Sequence, residues 1–308
     1  MATKKGSKVP ANRYLRYELT NSGTPGTETS HYVDLARDLS RINRRLMRQG
    51  RVYHIKKITV VSSNTPNGGN RISVGVAHDT WVTRNAWKRG FETFKMMQKE
   101  ATKQISGDVS GTWDDFKVWL TPDMENGGSI LQPVDNGGGA ALPGEWVYSK
   151  FTTPDGTTSA DDFMATLLGT HIGAAGARRT VSLCRSYAES RSTVNSPDPN
   201  VLVAASDDPL VNVFDYGTAI DEVIDNMQDD NDEPPYSLIA YPGAGTNMPK
   251  PSIAQDTTLV DGRAIMGSFS AICGLLEFEA KSTVANDTFS VLIEMAPGPY
   301  RGIAAEVI

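Results

Sequence analysis

Apolar and polar positions alternate with a period of two along much of the chain, and this pattern predicts strands. Arg13 to Thr20 (RYLRYELT) opens the series. Arg51 to Ser63 (RVYHIKKITVVSS) and Arg71 to Ala77 (RISVGVA) follow, and the turn signal Asn64-Thr65-Pro66-Asn67-Gly68-Gly69-Asn70 between them predicts a hairpin. Asp115 to Leu120 and Glu145 to Thr152 are further candidate strands, on either side of a Gly/Asn-rich loop broken by Pro122, Pro133 and Pro143. From Tyr236 onward strand follows strand, over Tyr236–Tyr241, Ile265–Ala280, Thr288–Ala296 and Ile303–Ile308.

The period lengthens to that of a helix in three places. In His31 to Gly50, Leu35, Leu39, Ile42 and Leu46 share one side, arginines occupy much of the rest, and Gly50 is the expected end. Thr80 to Gln104 carries Trp87, Phe91, Phe94 and Met97 at near-helical spacing behind an Asp79 or Thr80 cap, with Gly90 as an interior weakness. Phe214 to Gln228 aligns Ile220, Val223, Ile224 and Met227 and is stopped by Pro234 and Pro235. Ala160 to Leu168 fits either period, Gly169 to Ala177 reads as a small-residue connector and Val181 to Ser192 as mixed. No internal repeat is visible. Strands throughout, with helices in the connections, predict an all-β sandwich or barrel with decorated loops.

Composition agrees with a single large unit. The 308 residues are 39% hydrophobic, enough to bury a sizeable core, and 28 Gly with 17 Pro supply many turns. No break in composition forces a second domain, so residues 1–12 are expected to be a flexible basic arm and residues 13–308 one domain. No apolar run approaches the length that crosses a bilayer, and the first ten residues lack the apolar core of a secretory signal. The cysteines, Cys184 and Cys273, are too few for a disulfide scaffold, which points to a reducing compartment.

Charge is divided unevenly. Residues 1–66 hold 13 Lys and Arg against 4 Asp and Glu, whereas residues 67–308 hold 17 against 32. The basic part contains Lys4, Lys5, Lys8, Arg13, Arg16, Arg37, Arg41, Arg44, Arg45, Arg48 and Arg51. Such a row can neutralise phosphates without reading bases. It can equally pair with acids of a neighbouring subunit, and both readings stay open. Residues 207–233 hold ten carboxylates and no Lys or Arg. A solvated acidic face accounts for them. The sharper reading is a structural calcium site at Asp229, Asp230, Asp232 and Glu233, although the spacing is not that of an EF-hand. No other cofactor is expected.

Motifs for catalysis are missing from the pattern. His31, His54, His78 and His171 have no partner at zinc-ligand spacing, and there is no P-loop, G-x-S-x-G or dinucleotide fingerprint. Cys184 stands near Arg178, Arg179 and Arg185, which would activate a thiol, but without a placed base it reads as a small buried residue. No enzyme is expected. Trp81, Trp87, Trp113, Trp119 and Trp146 are candidate core or interface anchors.

From Trp81 to Met97 (WVTRNAWKRGFETFKMM) the chain resembles capsid proteins of circular single-stranded DNA viruses that carry a replication-initiator gene. His31–Gly50, Trp113–Leu120, Leu168–Val194, Asp208–Tyr236 and Tyr300–Val307 (YRGIAAEV) are similar to the same group. The resemblance implies a jelly-roll β-sandwich subunit with helical insertions, assembled with copies of itself into an icosahedral virion around a circular single-stranded DNA genome. It implies synthesis inside a host cell, a host receptor, and no membrane. The N-terminal arm departs from the family by being short and sparsely basic, so the arginine helix is expected to share the genome contact. Two other readings remain: a nucleic-acid-binding protein that forms no shell, and a glycan-binding β-sandwich of a virion.

Overall fold

The computed structural model describes residues 11–62, 69–104, 115–135, 137–141, 144–153, 161–174, 177–192 and 251–308. Its elements are β1 (Tyr14–Thr20), β2 (Thr29–Asp34), α1 (Leu35–Asn43), β3 (Arg51–Ser62), β4 (Arg71–Val76), α2 (Trp81–Gln104), α3 (Pro122–Glu125), β5 (Ser129–Ile130), β6 (Lys150–Thr153), β7 (Asp161–Thr166), β8 (Ile172–Ala174), β9 (Ala177–Ser182), α4 (Leu183–Ser192), β10 (Ser252–Thr258), β11 (Arg263–Met266), β12 (Phe269–Ile272), β13 (Leu275–Lys281), β14 (Thr288–Met295) and β15 (Ala305–Val307).

Period two in the sequence becomes one-sided burial in the strand. Along β1, Leu15, Tyr17 and Leu19 are buried and their neighbours exposed. Burying each such side chain contributes about 1.5–3 kcal/mol. Pairing is nested from the ends of the chain inward. β1 pairs with β14, β2 with β13, β3 with β11 and β12, and β4 with β10, all antiparallel. Two sheets result: β1-β14-β3-β11, with β12 and β15 also on β3, and β10-β4-β13-β2-β5. Leu15, Tyr17, Ile58, Val291 and Ile293 of the first face Val33, Ile72, Val74 and Phe278 of the second in one core. The protein is an all-β sandwich with its helices in the connections.

Everything between Val76 and Ser252 is one long connection, because these two residues are register partners where β4 ends and β10 begins. Its described part holds α2, α4 and a third sheet, β6-β7-β9-β8. Trp87, Phe94, Phe116, Phe151 and Leu183 gather there in a second core, which reaches Tyr32, Val52, Ile272 and Leu275 of the sandwich. Phe116 lies at its centre, with ring centroids of Trp87, Phe91, Phe94 and Phe151 at 5.8, 5.8, 5.3 and 5.8 Å.

Several expectations are corrected. β3 and β4 are no hairpin: they lie in different sheets, β3 saturated by β14 and β15 on one edge and by β11 and β12 on the other, β4 by β10 and β13. The predicted helix 31–50 is a strand up to Asp34, because His31 and Tyr32 are register partners of Phe278 and Glu277, and a nine-residue helix thereafter. It stops at Arg44 in the left-handed region (φ 50°), not at Gly50. Gly50 is needed for another reason, since a Cβ there would meet the Trp87 ring at 2.7 Å. Gly90 sits inside α2 because a Cβ would come within 2.9 Å of Leu183 on α4. Residues 115–120 form no ladder strand: only Trp119 bridges Thr166, while Val118 N–H donates to the Gln49 side chain at 2.7 Å. Of Glu145–Thr152 only the end joins a strand, and Ile265–Ala280 is divided among three. The ambiguous residues 161–166 are strand, and β10 had no clear signal. Phe214–Gln228 and Tyr236–Tyr241 lie outside the described residues.

Candidate nucleic-acid interface

The arginine-rich segment is organised by one buried carboxylate. Asp34, fully buried, ends β2 and caps α1 by accepting the Arg37 N–H at 3.0 Å on Oδ1. Its Oδ2 accepts from Gln49 Nε2 (2.8 Å), Trp146 Nε1 (3.1 Å) and the Tyr148 hydroxyl (3.1 Å). One residue thus joins the sandwich to α1, to the Arg48–Gln49–Gly50 corner and to the long connection. Next to it, Asp38 accepts from Arg37 Nε at 2.7 Å, Arg37 Nη2 at 3.2 Å and the Tyr17 hydroxyl at 2.8 Å. Burial holds both carboxyls above their usual range, Asp38 to about 6, against the opposing pull of Arg37. Arg37 loses by burial but is held above its ordinary value by Asp38.

The predicted basic residues therefore separate. Arg37 turns inward, also donating to the Leu131 carbonyl, and faces the carboxylates instead of solvent. Arg41 is half-way: its side chain is 10% exposed, Nη1 lies 3.8 Å from Asp38, and its Nε and Nη1 have no hydrogen-bond partner among the described residues. Arg44, Arg45 and Arg48 are exposed, the first two where the helix unwinds. That end is tied by the Ser40 hydroxyl, which donates to the Ala36 carbonyl and accepts the Met47 N–H, at 2.6 and 2.7 Å. Arg51 starts β3 with its guanidinium 3.6 Å from the Tyr300 ring centroid. Arg13 is half-buried before β1, and Arg16 is exposed and paired to Glu18 at 2.5 Å. Lys4, Lys5 and Lys8 lie outside the described residues, but Asn12 is clasped to Asn43 at the end of α1 through bonds of 2.7 and 3.0 Å, so the described chain enters beside the arginines.

Sequence reasoning missed Arg301, in the left-handed region, whose guanidinium donates to the Leu46 carbonyl beside this cluster. Only the resemblance at Tyr300–Val307 marked that stretch. It also missed a cavity of about 240 Å³ lined by Arg37, Arg41, Arg44, Arg45, Leu46, Glu145 and Trp146. Geometrically this end of the sandwich offers exposed cations over a compensated, buried ion network, a surface that can hold an anion through charge and guanidinium hydrogen bonds.

Other candidates fare differently. Asp229, Asp230, Asp232 and Glu233 lie outside the described residues, and among the described residues no three His, Cys, Asp or Glu side chains converge on a metal position. Cys184 is fully buried and its thiol is pushed up to about 12 by burial, the opposite of an activated nucleophile. Both cysteines are free. Trp87 belongs to the second core; Trp81 is 44% exposed; Trp119 stacks on Tyr148 at 3.8 Å; Trp113 is outside the described residues. Among the described residues no helix is long and apolar enough to cross a membrane. No protein-family model, curated protein or solved structure matches the chain.

Proposed function

We propose that this chain is a viral capsid subunit of jelly-roll type, which tiles with copies of itself into an icosahedral shell around a circular single-stranded DNA genome, and that it is not an enzyme. The observation that carries the reading is the nested pairing of eight strands into β1-β14-β3-β11 and β10-β4-β13-β2. A long antiparallel hairpin rolled on itself has this order, and the jelly roll is such a hairpin. The exposed arginines at the end of α1 support the second half of the proposal, a polyanion held by charge without base readout. The long connection inserted between β4 and β10 leaves from the same end and supplies surface for subunit contacts.

The test is particle formation. The purified full chain is expected to form uniform closed particles by negative-stain electron microscopy, and to bind single-stranded DNA with affinity that falls as salt rises. A chain that stays monomeric across salt and pH, with no particles, refutes the shell. Salt-sensitive DNA binding by such a monomer would leave the non-shell nucleic-acid-binding reading, which the same arginines favour.

A further inference from the structure

We infer that the cavity at the C-terminal end of α1 is a receptor for a single phosphate group, held from within by Arg41 and at the mouth by Arg44 and Arg45. Arg41 carries the argument. Its side chain is nine-tenths buried, it lines the cavity, and its Nε and Nη1 donate to nothing among the described residues. A buried guanidinium N–H without an acceptor is costly, and an oxyanion in the cavity would supply one. Asp38 does not fill it: at 3.8 Å it is beyond hydrogen-bond reach, and its oxygens already serve Arg37 and Tyr17.

The rest of the cavity has the same character. Arg44 and Arg45 have no ion pair among the described residues, so charge remains for a dianion after the Asp34–Asp38–Arg37–Arg41 group has balanced itself. Burial, and then Arg37, lower the Arg41 pKa, a penalty that a bound anion reverses. Arginine's fork matches tetrahedral phosphate oxygens. Two features oppose an anion: exposed Glu145 on the rim and the negative end of α1. Both are partly solvated, and together they fall short of the two uncompensated charges of Arg44 and Arg45. The volume of about 240 Å³ is ample for a phosphate.

A DNA strand's phosphodiester and a small free phosphate share this chemistry. The first source rests on the function proposed above; the pocket does not. The experiment titrates the full chain with inorganic phosphate and with oligothymidylate, by calorimetry. Wild-type protein is expected to bind inorganic phosphate, Arg41→Gln to lose at least about tenfold in affinity, and Glu145→Gln to gain. Should Arg41→Gln fail to fold, the exposed pair Arg44→Ala/Arg45→Ala is expected to show the same loss. Oligothymidylate competing with phosphate assigns the pocket to the strand, and Arg44→Ala then lowers the salt slope of DNA binding by about one. Phosphate binding without competition supports the pocket with a free phosphate as its ligand. Phosphate binding unchanged in both arginine variants, or absent from the wild type, overturns the inference even if particles form. Phosphate binding by a chain that forms no particles removes the shell and leaves the pocket.

Discussion

Asparagine and aspartate are interchangeable at most helix N-termini, with costs of a few tenths of a kcal/mol. At position 34 they are not expected to be. Asp34 offers an oxygen in two directions, Oδ1 to the Arg37 N–H and Oδ2 to Gln49, Trp146 and Tyr148. Asp34→Asn puts an NH2 in one of them. With the NH2 toward Arg37, α1 loses its cap, about 1 kcal/mol, and two donors face each other. With the NH2 on the other side, the Tyr148 hydroxyl can rotate to accept, but Gln49 repairs its contact only by flipping, which takes Oε1 from the Val118 N–H. Each buried donor left without an acceptor costs about 1–3 kcal/mol. The offset is the burial of the charge, which asparagine avoids and which raises the Asp34 carboxyl. The expected net loss is about 2–4 kcal/mol. Urea unfolding followed by tryptophan fluorescence, at concentrations where light scattering detects no assembly, measures it. Gln49→Ala closes a double-mutant cycle, and a coupling above about 0.5 kcal/mol is expected between residues in one network. A variant within about 0.5 kcal/mol of wild type, or strict additivity with Gln49→Ala, refutes the reading of Asp34 as the junction of sandwich, helix and connection.

Two further outcomes follow from the interior. Because burial holds the Asp38 carboxyl at about 6, above the ~3.9 of an unfolded aspartate, the folded chain binds more protons between those values. That contribution to stability is complete below about pH 4 and is lost as pH rises through 6, the reverse of an exposed ion-paired carboxylate. Urea midpoints at pH 4.5, 5.5 and 6.5 are expected to fall more steeply for wild type than for Asp38→Asn, and parallel slopes would exclude it. Phe116→Ala removes the ring at the centre of the second core, at a cost of about 3–5 kcal/mol. Amide exchange should accelerate in α2 and leave β1 and β14 protected; unaltered protection of α2 would show that this cluster does not hold the helix in place.

What the sequence determined by itself is local. A strand with one face buried writes its alternation into the chain, so β1, β3, β4 and β14 are legible with ends off by a residue or two, and α2 is legible from its apolar spacing. The Arg-rich stretch was visible as charge. The tertiary structure decided which strands pair, since β3 and β4 look like a hairpin yet take partners from the other end of the chain, and contacts such as Asn70 to Asp287 join residues 217 positions apart. It also decided what each arginine does. Arg37 and Arg44 stand seven residues apart with the same side chain, but one faces two carboxylates across a buried helix turn and the other caps the helix in water. Burial and partner are properties of the packed neighbours, not of the residue, and those neighbours, Tyr17, Leu131, Trp146 and Tyr300, come from segments that no local pattern connects.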